Sequence, residues 1–323
     1  GRCHPNLRKL VLRSHLIRKM EGVGAFKSLE VLELYDNQIE KLEGLDEGGG
    51  GGDDDDDGAE GGDDADGGRR RGGCVGSGLL VLDMSYNVLR DMSPVSVCAN
   101  LTELYLAQNK LKVITGLKNL KSLRKIDLGA NRIRFMPDEE LGELTSLEEL
   151  WLGKNKIEKI GGLVRLTKLR RLDVQANRLT SVEGLTSQAD TLEELYLSHN
   201  GIDDDGAARE TGLALPFAKL NTVDLSRNRL TTTEPFSHLL ALEELWLSGN
   251  EIETFDSVLP IANLGSREGA ALRGIYLEMN PVAKDYEYRK KVKEMLPSLE
   301  QIDADMIGGN AAMGYETAAM AMT

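Results

Sequence analysis

The sequence is poor in cysteine, histidine and tryptophan. Its 323 residues include three cysteines, four histidines and two tryptophans. Cys3, Cys74 and Cys98 are too few and too scattered for a disulfide framework, and none belongs to a Cys-x-x-Cys pair. The cysteine content therefore favours a reducing, intracellular compartment.

Long apolar runs are also missing. No run of 18 or more apolar residues occurs, and the chain does not open with a charged segment followed by an apolar one. The sequence thus predicts neither a membrane span nor a signal peptide, and we expect no membrane partner. Because the first residue is Gly1 and not methionine, we expect the N-terminus to be truncated.

Positive charge is in deficit, with 39 Lys and Arg against 53 Asp and Glu and a net charge of -14. Residues 46–78 hold eleven acids against three arginines, which is -8 of that total and leaves -6 for the rest. An acidic chain repels phosphates, so we expect no nucleic-acid partner, although a basic patch could lie within a negative average.

What the sequence does contain is a repeat. The pattern L-x-x-L-x-L-x-x-N recurs with its Asn at 37, 87, 109, 131, 155, 177, 200, 228, 250 and 280, and a degenerate copy ends at His15. Most spacings are near 22 residues, and one is 28 longer. This spacing is typical of the leucine-rich repeat. We predict an α/β repeat fold: a leucine-rich-repeat solenoid of the 22-residue class, with a curved parallel sheet on its concave face and a helical C-terminal cap.

Within each repeat, the L-x-L segment alternates with period two, which places both leucines inward and the middle residue on the opposite face. The Asn that ends each copy is interpreted as a buried amide that bonds to the backbone of adjacent turns. Its role is therefore structural.

The repeats define the domain boundaries. We predict repeats 1–2 in residues 1–45, a disordered Gly/Asp-rich insertion in 46–78, repeats 3–11 in 79–280, a cap in 281–307 and a flexible tail in 308–323. The insertion contains five consecutive glycines and five consecutive aspartates, a composition that cannot bury enough apolar surface to fold.

Catalytic constellations are missing. The four histidines lie in different repeats, and neither a zinc-ligand spacing nor a phosphate-binding G-x-x-x-x-G-K-[ST] motif occurs. We therefore predict a protein that is not an enzyme and has no cofactor, catalytic residue or metal site.

The middle residues of the L-x-L segments form a column that points to a binding surface. From repeat three to repeat ten, acids and aromatics alternate in it, and both tryptophans of the chain belong to it. Lateral packing in the sheet would account for aromatic residues, but a row of Tyr and Trp on an exposed face is typical of interface hot spots. The predicted partner-binding residues are Asp83, Tyr105, Asp127, Trp151, Asp173, Tyr196, Asp224, Glu244, Trp246 and Tyr276. Neighbouring acids at Glu103, Glu149 and Glu194 predict a partner with basic residues and apolar pockets.

Arg132-Ile133-Arg134-Phe135 is similar to the R-[VI]-x-F peptide with which many regulators dock on protein phosphatase 1. A docking peptide must be extended and free. Ile133 occupies the repeat's own apolar position after Asn131, so we expect this segment to be locked in a turn.

The final repeat continues as Tyr276-Leu277-Glu278-Met279-Asn280-Pro281, followed by Leu296-Pro297-Ser298-Leu299 and Ile302-Asp303. With turn sequences such as Leu152-Gly153-Lys154-Asn155-Lys156-Ile157, these residues resemble the leucine-rich-repeat regulatory subunits of protein phosphatase 1, the regulatory subunit 7 family, over roughly residues 7 to 305. Tyr105 and Trp151 stand where that family more typically has Phe, and Asp127 where it has Glu.

The resemblance implies a regulatory subunit that binds the phosphatase catalytic subunit through its concave face and controls its activity, maturation or localisation. It also implies a nuclear and cytoplasmic protein that is a monomer before it forms the complex. The alternative is a repeat scaffold for another client, of the ciliary or dynein-associated, tubulin-cofactor-like or spliceosomal kind.

Overall fold

The computed structural model describes residues 6–46, 75–266 and 271–307. The chain forms two compact units: Gly1–Ile157 with Gly161–Lys168, and Glu158–Ile160 with Leu169–Thr323. Both consist of stacked repeats, in each of which a three-residue strand is followed by a turn and an irregular or short helical return. Residues 47–74, which make up most of the predicted insertion, and the predicted tail at 308–323 lie outside the described residues.

The strands of each unit pair in parallel, in chain order. In the first unit they are β1 (Lys9–Val11), β2 (Val31–Glu33), β3 (Val81–Asp83), β4 (Glu103–Tyr105), β5 (Lys125–Asp127) and β6 (Glu149–Trp151). In the second unit they are β7 (Arg171–Asp173), β8 (Glu194–Tyr196), β9 (Thr222–Asp224), β10 (Glu244–Trp246), β11 (Gly274–Tyr276) and β12 (Gln301–Ile302). A last strand, β13 (Asp305–Met306), pairs with β12 antiparallel. The predicted leucine-rich-repeat fold is confirmed.

Helices on the return segments are short. The α-helices are α1 (Val75–Gly78), α2 (Asp138–Leu141), α3 (Asp204–Ala207), α4 (Ala262–Ser266) and α5 (Tyr288–Met295). The 3-10 helices span Val23–Ala25, Ser93–Val97, Thr186–Gln188, Glu234–Phe236, Leu259–Ile261 and Pro281–Lys284.

The core is formed by the repeat leucines, as the alternation predicts. On β4, for example, Leu104 and the following Leu106 are both fully buried. Burying one such side chain contributes about 2 kcal/mol, and the layer recurs in every repeat. A single unit of this kind cannot bury its own apolar face, so each repeat depends on its neighbours for stability.

The repeat asparagines form a second buried layer, which confirms their predicted structural role. Nδ2 of Asn109 donates to the carbonyl oxygens of Met84 and Leu106, both at 3.0 Å. Its Oδ1 accepts the backbone N–H of Leu89 at 2.9 Å. One amide thereby bonds its own turn to the preceding one, and Asn87, Asn131, Asn228, Asn250 and Asn280 repeat the arrangement.

Leu45 and Gly76, which lie on either side of residues 47–74, are close together. The backbone N–H of Gly76 donates to the carbonyl of Leu45 at 2.8 Å, and Val75 is buried. Although the sequence places residues 75–78 in a disordered stretch, they form α1, because Val75 completes the apolar layer of its repeat. The described residues on either side of 47–74 are therefore in contact.

The predicted helical cap is confirmed in the second unit. Val292 of α5 and Leu296 are fully buried against the last repeat. Asp303 takes the place of the repeat asparagine: its Oδ1 accepts the backbone N–H groups of Leu277 at 2.8 Å and Glu278 at 2.9 Å. The hydroxyl of Tyr288 donates to the same oxygen at 3.3 Å.

Candidate partner-binding surface

Nine of the ten predicted site residues lie on the outward side of the sheet, at the third position of their strands, and we call these nine the face column. Within the first unit the pairings bring Asp83 beside Tyr105, Tyr105 beside Asp127 and Asp127 beside Trp151. Within the second unit the column runs in register through Asp173, Tyr196, Asp224, Trp246 and Tyr276, and Glu244 lies two residues before Trp246 on the same side of β10.

The acids of the column have a structural task that the sequence analysis did not identify. Each accepts a hydrogen bond from the backbone N–H two residues further on, at 2.8 or 2.9 Å: Asp83 from Ser85, Asp127 from Gly129, Asp173 from Gln175 and Asp224 from Ser226. These bonds shape the turn that leaves the strand. The local signal was the aspartate placed two residues before a turn residue.

Asp224 differs from the exposed position that the alternation predicts, because only 6% of it is exposed. It is a short side chain paired in register with two large rings, Tyr196 on β8 and Trp246 on β10. Burial raises the pKa of the Asp224 carboxyl, and the same cause raises the pKa of Asp127 in the first unit.

The aromatic residues of the column are tied to glutamates on their own strands. The Tyr105 hydroxyl donates to Glu103 at 2.8 Å, the Tyr196 hydroxyl to Glu194 at 2.7 Å and the Trp246 indole N–H to Glu244 at 2.9 Å. Burial, followed by the neighbouring glutamate, raises the pKa of both tyrosines. Each strand therefore presents a ring and a carboxylate as one oriented pair.

Three of these rings form a continuous cluster in the second unit. The centroids of Trp246 and Tyr276 are 5.2 Å apart, and those of Tyr196 and Trp246 are 6.4 Å apart with a T-shaped orientation. Gln301 of β12 donates to the Tyr276 hydroxyl at 2.6 Å and so holds the ring at the end of the cluster. We call Tyr196, Trp246 and Tyr276 the aromatic cluster.

Lys125 and Arg171 lie on the same side, at the first position of their strands, and were not among the predicted site residues. Lys125 forms an ion pair with Glu149 at 3.0 Å. Nε and Nη2 of the Arg171 guanidinium donate to the Glu194 carboxylate at 2.8 and 2.6 Å. Burial opposes ionisation of Glu194, but the bonds from Arg171 and Tyr196 lower its pKa overall. In contrast, Glu103 and Glu244 form no ion pair with any described residue.

The R-I-R-F segment is locked in a turn, as predicted. Ile133 is fully buried and its N–H donates to Asn155 Oδ1 at 3.0 Å, so its side chain is not available to a docking pocket. Phe135 is 74% exposed.

In residues 6–46, 75–266 and 271–307, no group of three or more His, Cys, Asp or Glu side chains is arranged to hold a metal ion. The helices in the same ranges are all too short or too polar to cross a membrane.

Family models for the leucine-rich repeat match residues 99–139, 121–179 and 190–208. Among curated proteins, the chain is 35% identical over 183 residues to an Arabidopsis thaliana protein named "Protein phosphatase 1 regulatory inhibitor subunit PPP1R7 homolog", which covers 55% of this chain and 54% of that protein. It is 34% identical over 82 residues to protein phosphatase 1 regulatory subunit pprA of Dictyostelium discoideum, covering 25% of this chain and 23% of that one. The chain thus spans about half, or less, of the length of these relatives.

A shorter match of 88 residues, 31% identical, links the chain to U2 small nuclear ribonucleoprotein A' of Candida glabrata and covers 27% of this chain and 32% of that protein.

Solved structures share the fold. An internalin of Listeria monocytogenes superposes with a TM-score of 0.63 at 19% identity, covering 94% of this chain and 82% of that one. A leucine-rich-repeat protein of Leptospira interrogans gives 0.64 at 24% identity, covering 92% and 72%. At these identities the likeness concerns the fold alone. The repeat scaffold and the regulatory-subunit relatives point to a non-catalytic protein. This chain has a leucine-rich-repeat fold, and its sequence is similar to regulatory subunits of protein phosphatase 1.

Proposed function

We propose that the chain is a regulatory subunit that binds the catalytic subunit of protein phosphatase 1 through its face column and thereby controls the activity, maturation or localisation of the phosphatase. Such a role places it in the nucleus and cytoplasm. The observation that carries the proposal is the aromatic cluster on an exposed sheet face, in a chain similar to named subunits of that phosphatase.

Trp246 is the residue on which binding should depend most. It lies between Tyr196 and Tyr276, so a partner that covers it also covers two further rings. Clustered aromatic side chains of this kind carry most of the energy in measured interfaces. Glu244, which holds the indole N–H, has carboxylate capacity left for a basic group of the partner.

In the first unit, Tyr105 and Trp151 supply aromatic contacts of the same chemistry, on either side of Asp127. Asp83, Asp127, Asp173 and Asp224 act mainly by shaping their turns and by making the face negative. That potential favours a partner with lysine or arginine at the matching surface.

The test is calorimetric binding of the purified chain to purified phosphatase catalytic subunit. We expect Trp246→Ala to weaken binding by about 2 kcal/mol or more, which is roughly thirtyfold. Tyr286→Ala is the matched control, because Tyr286 is a ring of the second unit that is 94% exposed and lies outside the column. Equal affinities for the parent and the Trp246 variant would remove the face column from the interface.

A second candidate, a scaffold for a different client, is favoured by the match to the U2 A' protein. A pull-down from cell extract separates the two, with the parent chain beside a Trp151→Ala, Trp246→Ala double variant. Recovery of spliceosomal protein without the phosphatase would replace the leading proposal.

A further inference from the structure

A basic surface lies on the turns that follow β3 to β6 in the first unit. We define it by seven exposed or half-exposed cations and call it the basic edge: Arg90, Lys110, Lys112, Arg132, Arg134, Lys154 and Lys156. The residue between Lys110 and Lys112, Leu111, is fully buried, so the alternation directs both lysines outward.

The backbone stacks these cations in register. Lys110 N–H donates to the carbonyl of Leu89, Arg132 N–H to that of Leu111 and Lys156 N–H to that of Ile133, each at 2.8 Å. Equivalent side chains on neighbouring repeats therefore stand one above another. Lys110, Arg132 and Lys156 form one row, and Arg90, Lys112 and Arg134 form a second row two residues further on.

None of the seven cations forms an ion pair or a side-chain hydrogen bond with any residue in the described part of the chain. Cations elsewhere in the unit do pair: Arg124 with Glu148 at 2.9 Å and Arg8 with Glu30 at 3.0 Å. The four turns that carry the basic edge contain two acids: Asp91, which accepts bonds from Ser93, and Glu158, which pairs with Arg178 at 3.9 Å. In a chain with a net charge of -14, this surface is left positive.

Two apolar side chains lie among the cations. Val113 and Phe135 occupy the same position in adjacent turns and are 62% and 74% exposed. Exposing a phenyl ring and a valine side chain to water is unfavourable. Exposed apolar side chains surrounded by charged ones are typical of interaction sites.

We infer that the basic edge binds an acidic protein segment that carries one apolar side chain among its carboxylates, with the apolar group on Val113 and Phe135. Charge complementarity and extent both favour this partner. Four repeats span about 14 Å at ~4.8 Å per strand. About five residues of extended peptide cover that length.

A nucleic acid or an anionic membrane fits less well because its charge extends far beyond 14 Å. The sheet side of the same repeats carries Asp83, Glu103, Asp127 and Glu149. A large polyanion would bring phosphates within a Debye length, about 8 Å, of such acids. A short acidic peptide confines its charge to the basic edge.

The experiment uses the full chain and a fluorescein-labelled peptide with a leucine between two runs of three glutamates, measured by anisotropy. We expect saturable binding that weakens as salt rises. The double variant Lys112→Glu, Arg134→Glu should weaken it about tenfold or more, a change of about 1.4 kcal/mol. The control Lys27→Glu, Lys168→Glu reverses two exposed cations of the same unit that form no ion pair with described residues, and should leave affinity unchanged. Thermal unfolding verifies that both variants remain folded.

A second comparison tests the apolar contact. Phe135→Ala should weaken binding of the leucine-containing peptide but not of a peptide of glutamates alone. Trp246→Ala should change the binding of neither peptide. The inference is overturned if the parent chain binds the glutamate peptide no better than a glutamine version of it. It is also overturned if the control variant loses as much affinity for the peptide as the double variant does. Tighter binding of a single-stranded oligonucleotide or of phosphatidylserine vesicles, with the same dependence on Lys112 and Arg134, would also overturn it.

Discussion

The asparagine layer makes a prediction that can be worked out from individual hydrogen bonds. In Asn109→Ala, the backbone N–H of Leu89 loses the side-chain oxygen that accepts it at 2.9 Å, and this N–H has no other partner among the described residues. The carbonyls of Met84 and Leu106 keep second donors, from Asn87 at 3.1 Å and Asn131 at 3.0 Å. The carbonyl of Ala107, to which Asn109 also donates at 3.1 Å, keeps the N–H of Tyr86 at 2.9 Å. One buried donor is therefore stranded and three acceptors are only weakened.

A stranded buried N–H costs about 1–3 kcal/mol, and each weakened acceptor adds a fraction of that. We expect Asn109→Ala to lower the free energy of unfolding by about 3 kcal/mol. Asn109→Asp should cost at least as much at pH 7, because a carboxylate cannot donate to the three carbonyls. Asp303 is tolerated in the cap because there the side chain only accepts.

Urea unfolding, followed by the fluorescence of Trp151 in the same unit, measures the loss. Asn100→Ala is the matched control: Asn100 is exposed and makes one bond, to the carbonyl of Ser77 at 2.7 Å, so its removal should cost about 1 kcal/mol or less. If the two variants lose equal stability with an unchanged urea dependence, the asparagine layer does not have the role assigned to it.

Three further outcomes are expected in the second unit. Asp224→Asn should raise the free energy of unfolding at pH 7, because burial raises the folded-state pKa of this carboxyl. The gain should shrink as the pH falls through that pKa towards the unfolded value of about 4. Urea unfolding at pH 7 and at about pH 4 measures the difference, and a difference that does not depend on pH would contradict the prediction. Gly212→Ala should destabilise by about 2 kcal/mol or more, since a Cβ there would lie 1.9 Å from the carbonyl oxygen of Val182; an unchanged melting temperature would refute the contact. Asp203→Ala removes the side chain that caps α3 by accepting the Gly206 N–H at 2.7 Å and should cost about 1 kcal/mol, whereas Asp203→Asn should restore most of it.

The local sequence was sufficient to predict the structure of each repeat. A period of two within the strand and of about 22 between repeats sorts side chains into inward and outward sets, so the buried leucines, the asparagine layer and the face column could be predicted without coordinates. The antiparallel strand β13 was not predicted, because a two-residue strand has no periodicity to detect.

What the sequence did not determine depends on neighbours one repeat away. Asp224 is buried because Tyr196 and Trp246 flank it in register. The charge of Glu194 is paired because Arg171 lies beside it on the neighbouring strand. The unpaired state of the basic edge follows likewise from which side chains the stacking brings together. The sequence by itself determined which residues face out of each repeat; only the tertiary structure decided which of those are covered, paired or left free, because partners about 22 residues apart meet only when the repeats stack.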